Sequence, residues 1–239
     1  MSTTTKFCND TSGKDFEQKL YRSIVRSLLY LIASCSNISF SVDTYARYQA
    51  NPKESHLTYV KRIILYISGT LNYGLWYPCG SFCVIIGYFD GDWVGNIKHR
   101  KNTSCACFFV GACLVTWLSK KQNLISLSTA KAEYIVVGSC CTQLLWMKQM
   151  LNDYGIKQST MSIHCDNSNV INISKNLVLH SWTKHIDIRH HFIRDLVEDK
   201  VIYLEFVSTK HQLADIFTKP LNSIRFEFLR KFFGLCLID

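Results

Sequence analysis

Proline is scarce in this chain, with three among 239 residues, and glycine contributes only eleven. That excludes a collagen-like or Pro/Gly low-complexity polymer and leaves few built-in helix breakers. No apolar run approaches the roughly 18 residues that cross a bilayer; the stretch at residues 28–33 is far too short. The opening segment MSTTTKFCND lacks the apolar block of a secretory signal. Cysteine is abundant, but its arrangement lacks what a disulfide or zinc scaffold needs. The eleven residues are odd in number and include no CxxC pair. Cys105 and Cys107 alternate as on a strand, a poor spacing for zinc, and Cys140 and Cys141 lie in an apolar helical stretch where buried thiols are common. The expectation is reduced thiols in an intracellular protein, cytoplasmic or nuclear, with no membrane partner.

What is present points to a packed globular protein, 48% apolar and 19% charged. The formal net charge of +9 suits a polyanionic partner, although charge alone also fits a merely basic protein. Acid is missing altogether between Asp92 and Glu133, while Lys98, Arg100, Lys101, Lys120, Lys121 and Lys131 fall in that interval. Beside an acidic site, such a surface would hold a phosphate backbone. The competing reading is a solvated turn at 98–101 and a strand-edge charge pair at Lys120 and Lys121 that discourages aggregation.

Periodicity divides the chain into two textures. LYRSIVRSLLYLIAS, FSVDTYARYQA and HLTYVKRIILYISGT carry apolar residues at helical spacing, which predicts a small all-helical piece over residues 1–75. From NYGLWY onward, β-branched and aromatic residues dominate. FCVIIGYFDGDW reads as a strand, SCACFFVGACLVTWLS as a hairpin turned at Gly111, and KKQNLISLS as a third strand. STAKAEYIVVGSCCTQLLWMKQMLNDYG reads as a long helix, with Ser128 or Thr129 as its cap and Gly155 as its stop. MSIHCDN and VIYLEFVS then read as strands among the helices NSNVINISKN, HIDIRHHFIRDLVEDK and HQLADIFTK. Three consecutive strands followed by helix–strand alternation predict a mixed α/β sheet with flanking helices over 76–222, and NSIRFEFLRKFFGL predicts a helical tail at 223–239.

Asp90 and Asp166 each close an apolar strand, where ligands collect in sheets of this kind. Glu133 lies in the first turns of the long helix and Asp215 early in QLADIFTK. Each alone is adequately explained as a turn or surface residue. Together they are four carboxylates on four elements, which repel one another unless divalent cations lie among them. Hard oxygen donors of this kind suit magnesium, and paired ions clamp the two oxygens of a phosphodiester displacement.

Five ordered segments carry a family resemblance: FDGDWVG at 89–95, SLSTAKAEY at 126–134, IHCDNSNVINISKN at 163–176, TKHIDIRHHFIRD at 183–195 and QLADIFTKPL at 212–221. They resemble the successive motifs of the ribonuclease H domain in copia-type retrotransposon Pol polyproteins. KLYRSIVRSLLYL, NPKESHL and LNYGLWY resemble the region just upstream, at the end of the reverse transcriptase. The resemblance implies an RNase H-like mixed five-stranded sheet, and Asp90, Glu133, Asp166 and Asp215 as the catalytic, metal-binding carboxylates. It implies two Mg2+ ions, with Mn2+ as a substitute, and hydrolysis of the RNA strand of an RNA–DNA hybrid. Lys98, Arg100, Lys101, Lys120, Lys121 and Lys184 are the corresponding candidates for backbone contacts. Residue His211, four before Asp215, is a candidate for assisting product release. The chain itself reads as a fragment of such a polyprotein.

Lys131 stands where the family has glutamate, and Trp182 where it has arginine. These departures keep two further readings open: a nucleic-acid-binding relic without turnover, and an interaction domain that retains only the fold. The thiol expectation is directly measurable. A thiol reagent in denaturant, without prior reduction, should titrate all eleven cysteines; a shortfall of two would reveal a disulfide.

Overall fold

A computed structural model describes residues 10, 12–80, 83–92, 103–122, 129–175 and 184–238, with backbone alone at 92, 129–131 and 184–190. The chain divides into two compact units: Met1–Trp76 with Lys219–Asp239, and Tyr77–Thr218.

In the first unit, α1 (Gln18–Leu31), α2 (Ser39–Ala46) and α3 (Glu54–Ser68) follow the three amphipathic segments. Tyr21, Val25 and Leu28 repeat at intervals of four and three on α1 and are buried against Ile38, Val42, Tyr45, Val60 and Ile63. The buried Tyr21 hydroxyl donates to the Tyr45 carbonyl at 2.9 Å, so its polar end is satisfied inside the core. NYGLWY does not enter the large sheet. Its strand β1 (Tyr73–Leu75) pairs antiparallel with a C-terminal strand, Leu235–Leu237, in a two-stranded ribbon. Between them in sequence lies a C-terminal helix, Ser223–Phe232, which the Asn222 side chain caps by accepting from the Arg225 N–H at 2.8 Å.

The second unit is a mixed sheet with helices packed against it. β2 (Ile85–Asp92), β3 (Thr103–Val110) and β4 (Cys113–Lys121) form an antiparallel meander. Gly111, with φ of +61°, occupies the first position of the two-residue β3–β4 turn, where a side chain would be strained. The helix α4 (Thr129–Asp153) then leads to β5 (Met161–Cys165), which lies parallel to β2. Next come α5 (Ser168–Lys175), α6 (Lys184–Glu198) and β6 (Ile202–Phe206), the last parallel to β5. The strand order is β4-β3-β2-β5-β6. In chain order the C-terminal helix becomes α7 and its strand β7.

Helix α4 packs on the sheet because Val136, Val137, Cys140, Cys141, Leu144 and Met147 recur at helical spacing and are all buried. They meet Ile85, Phe89, Phe108, Met161 and Ile163 from the three central strands. Gly155, at φ +78°, ends the helix, and the N–H groups of Gly155 and Ile156 return to the carbonyls of Asn152 and Leu151.

Two sequence expectations change. Lys120 and Lys121 belong to the second strand of the hairpin and do not begin a separate one; residues 123–128 lie outside the described residues, as does the proposed Ser128 cap. QLADIFTK forms a short 3₁₀ segment, Leu213–Phe217, in place of an α-helix. All of residues 212–218 are buried, so the segment has no polar face on which an ordinary surface helix would depend. Among the described residues, no helix is long and apolar enough to cross a membrane.

The packing of α4 yields a stability prediction. Leu144 is wholly buried at the helix–sheet interface. Leu144→Ala should cost about 2–5 kcal/mol, read as a lower urea midpoint for the sheet unit.

Candidate metal centre

The centre is built where two neighbouring parallel strands end. β2 and β5 are hydrogen-bonded neighbours, with Tyr88 opposite His164. Two residues further along each chain stand Asp90 and Asp166. Parallel pairing therefore delivers both carboxylates to the same end of the sheet, one from inside β2 and one immediately after β5.

Glu133 arrives from the other direction, in the second turn of α4. Gly91 permits the approach: a Cβ at this position would lie 3.1 Å from Glu133 Cγ, closer than ordinary packing allows. Gln122 secures the same end of the helix by donating its side-chain amide to the Ala132 carbonyl at 3.0 Å.

Asp215 enters on the 3₁₀ segment, which packs on β2 and β3. The Thr218 hydroxyl lies 2.7 Å from Asp90 Oδ2 and 3.2 Å from the Asp215 carbonyl oxygen, so the Asp215 backbone is within one side chain of the first carboxylate. Asp90, Glu133 and Asp215 are all buried, whereas Asp166 is half-buried.

Electrostatics distinguish Glu133. Its pKa is pushed from the ordinary 4.5 to about 7, first by burial and then by the negative charges of Asp90 and Asp166. A hydrogen bond from Asn167 Nδ2 to Glu133 Oε1, 3.2 Å long, opposes that rise. Candidate metal ligand atoms of Glu133, Cys165 and Asp166 lie within 4.8 Å of one another. The Cys165 thiol is buried and its pKa is pushed far above the normal range, so it stays protonated and belongs to the packing. The donor set is therefore one of carboxylate oxygens, the chemistry that fits a hard divalent cation.

The remaining sequence candidates divide. Lys120 and Lys121 sit on edge strand β4, opposite Ser104 and Thr103, which in turn face Gly91 and Asp92. That places them at the carboxylate end of the sheet, two strands away, roughly 10 Å at the usual strand spacing. Lys184 opens α6, with its side chain outside the described residues; Lys98, Arg100, Lys101 and Trp182 lie wholly outside them. His211 is exposed, and its Nδ1 sits 2.9 Å from the Ser208 hydroxyl. Sequence reasoning missed Asn167, Gln212 and Thr218. Their signal was available: each is a neutral polar residue within or beside a carboxylate motif.

A mixed five-stranded sheet with flanking helices, carrying acidic side chains at the ends of two neighbouring parallel strands, is the architecture that the family resemblance implies. No protein-family profile matches the chain. The chain is 34% identical over 216 residues to the retrovirus-related Pol polyprotein from transposon TNT 1-94 of Nicotiana tabacum, covering 90% of this chain and 16% of that protein. It is 34% identical to the corresponding polyprotein of transposon RE2 of Arabidopsis thaliana, over 97% of this chain and 16% of the relative. For transposon RE1 of the same plant the identity is 36%, over 87% of this chain and 14% of the relative. The chain is thus a homologue of the Pol polyproteins of plant copia-type retrotransposons, and spans about one sixth of their length. Among solved structures, an RNase H1 isolated from compost superposes with a TM-score of 0.41 at 13% identity, covering 57% of this chain and 94% of that one. The N-terminal RNase H domain of a Mycobacterium tuberculosis protein gives 0.43 at 12%, covering 62% and 97%.

The raised pKa of Glu133 predicts a pH signature in metal-free protein. Its folded pKa, about 7, exceeds its unfolded value near 4.5, so between those limits the folded state holds a proton that the unfolded state has released. Stability should therefore fall as pH rises from 4.5 to 7, by roughly 3 kcal/mol at most, and level off above. Comparing the melting temperature of wild type and Glu133→Gln across that range isolates the effect; parallel curves would contradict it.

Proposed function

We propose that the sheet unit is a divalent-metal-dependent endonuclease that hydrolyses the RNA strand of an RNA–DNA hybrid. The observation that carries this reading is the buried Glu133 carboxylate held against the charges of Asp90 and Asp166. Such a cluster is costly as an isolated set of anions and becomes favourable around a cation. Neutral side chains hold these carboxylates: Thr218 on Asp90, Asn167 and the Cys165 thiol on Glu133, and Thr209 and Gln212 on Asp166.

Asp90, Glu133, Asp166 and Asp215 are the residues that would hold the metal. Magnesium, or manganese in its place, would supply electrophilic stabilisation of the phosphate and of the departing 3′-oxygen, and a lower pKa for the attacking water. The protein's own contribution is orientation. Two strand ends, one helix and one buried segment would hold the four carboxylates in place before substrate arrives. Lys120 and Lys121, at the same end of the sheet, are suited to contacting phosphates of the bound backbone, as proposed also for Lys98, Arg100, Lys101 and Lys184. Homology to transposon Pol polyproteins supports a hybrid substrate, and a solved RNase H1 from compost bears the description of a complex with an RNA/DNA hybrid.

The decisive measurement is cleavage of an end-labelled RNA–DNA hybrid in Mg2+. The full chain should cut the RNA strand alone, and EDTA should stop it. Asp90→Asn, Glu133→Gln, Asp166→Asn and Asp215→Asn should each lower the rate by more than about 10²-fold, since each removes a group whose cation supplies several kcal/mol of transition-state stabilisation. Folded protein that binds hybrid but leaves it intact would overturn the nuclease reading in favour of a binding relic.

A further inference from the structure

Residues 212–218 do more than present Asp215. Gln212 is fully buried, and its side-chain amide has two protons and one acceptor oxygen. Nε2 lies 3.0 Å from the Phe89 carbonyl, one residue before Asp90, and 3.5 Å from Asp166 Oδ1. Oε1 accepts from the Ala214 N–H at 3.2 Å, which starts the 3₁₀ segment. One side chain thus spans the gap between the ends of β2 and β5 and anchors the segment that carries the fourth carboxylate.

Thr218 closes the other end. Its hydroxyl has a single proton and two acceptors within reach, Asp90 Oδ2 at 2.7 Å and the Asp215 carbonyl at 3.2 Å. The carboxylate is both nearer and charged, so it takes the proton. The strap between these two residues is itself latched to the sheet. The Cys105 thiol lies between the Asp90 carbonyl at 3.2 Å and the Ala214 carbonyl at 3.4 Å, and the Ser119 hydroxyl donates to the Phe217 carbonyl at 2.8 Å.

We propose that Gln212 and Thr218 are positioning residues that set the spacing of Asp90, Asp166 and Asp215, so the metal centre is assembled only when this strap is latched. The inference rests on the metal-centre reading above and deepens it. Neutral donors are suited to the task because they orient a carboxylate without cancelling the charge that binds the cation. A lysine or arginine in either place would compete with the metal. Asp215 alone would need only its own segment to be folded. The bonds from Gln212 and Thr218 make three carboxylates, drawn from sequence positions 125 residues apart at their extremes (Asp90 to Asp215), depend on one seven-residue element.

The test uses the full chain and two readouts. Mn2+ binding followed by electron paramagnetic resonance reports the centre directly, and hybrid cleavage against Mg2+ concentration reports its use. Thr218→Val keeps shape and removes the donor; Thr218→Ser restores it; Gln212→Glu keeps size but replaces donors with charge. Removing a group that orients metal ligands typically costs roughly 10–100-fold in metal affinity. Thr218→Val should weaken Mn2+ binding to that extent and raise the Mg2+ concentration for half-maximal cleavage in proportion, with little change in rate at saturating metal. Thr218→Ser should bind and cleave as wild type. Gln212→Glu should likewise weaken binding, and metal-free melting temperatures establish which variants are folded. If folded Thr218→Val binds Mn2+ as tightly as wild type, the positioning role is wrong. If wild type binds Mn2+ and the variants weaken that binding but no protein cleaves hybrid, the nuclease reading fails while the positioning role survives. If wild type binds no Mn2+, both fall.

Discussion

Gathering several negative charges into one poorly hydrated place is the constraint on which the rest of this structure turns. Two unit charges about 4 Å apart repel by about 4 kcal/mol at the effective dielectric of a protein surface region, and burial adds the cost of lost hydration. The molecule responds in several ways at once. Parallel pairing of β2 and β5 sets the separation of Asp90 and Asp166 through the backbone, not through flexible side chains. Neutral amides and hydroxyls give the carboxylates hydrogen bonds without neutralising them. Burial first, and then the charges of Asp90 and Asp166, raise the Glu133 pKa to about 7, so metal-free Glu133 holds a proton through the mildly acidic range.

Rigidity elsewhere serves that arrangement. The apolar face of α4, running from Val136 to Met147, locks the helix to the sheet and so determines where Glu133 points. Gly91 makes room for the helix to come close, and a larger residue there would push Glu133 away. The hairpin of β3 and β4 contributes twice. It provides Cys105 and Ser119 as latches for the buried strap, and it carries Lys120 and Lys121 to the acidic end of the sheet. Core packing and site assembly are one set of contacts in this domain.

Much of the fold was legible because its signals are local. Gly111 marks the hairpin, since the first turn position requires a positive φ. Gly155 marks the end of α4 for the same reason. Helical spacing located α1, α2 and α3 to within a few residues. Legibility failed where pairing is long-range. NYGLWY reads as strand-like, but its partner Leu235–Leu237 lies in what the sequence predicts as a helical tail, and nothing in either short stretch specifies the other. The apolar spacing of QLADIFTK predicts a helix. Its 3₁₀ form follows from insertion among strands, where every residue from 212 to 218 is buried and an amphipathic stripe has no meaning.

Sequence by itself determined the ingredients of the candidate site: four carboxylates in ordered motifs, two of them closing apolar strands, in a chain rich in cations between Asp92 and Glu133. Residue type and spacing suffice for that, because strand periodicity and turn chemistry are properties of neighbouring residues. Tertiary structure alone decided which neutral side chains hold those carboxylates. Gln212 meets Phe89 and Asp166, and Thr218 meets Asp90, across separations of 123, 46 and 128 residues. Contacts of that range arise from strand order and from the burial of one short segment, which no local pattern encodes.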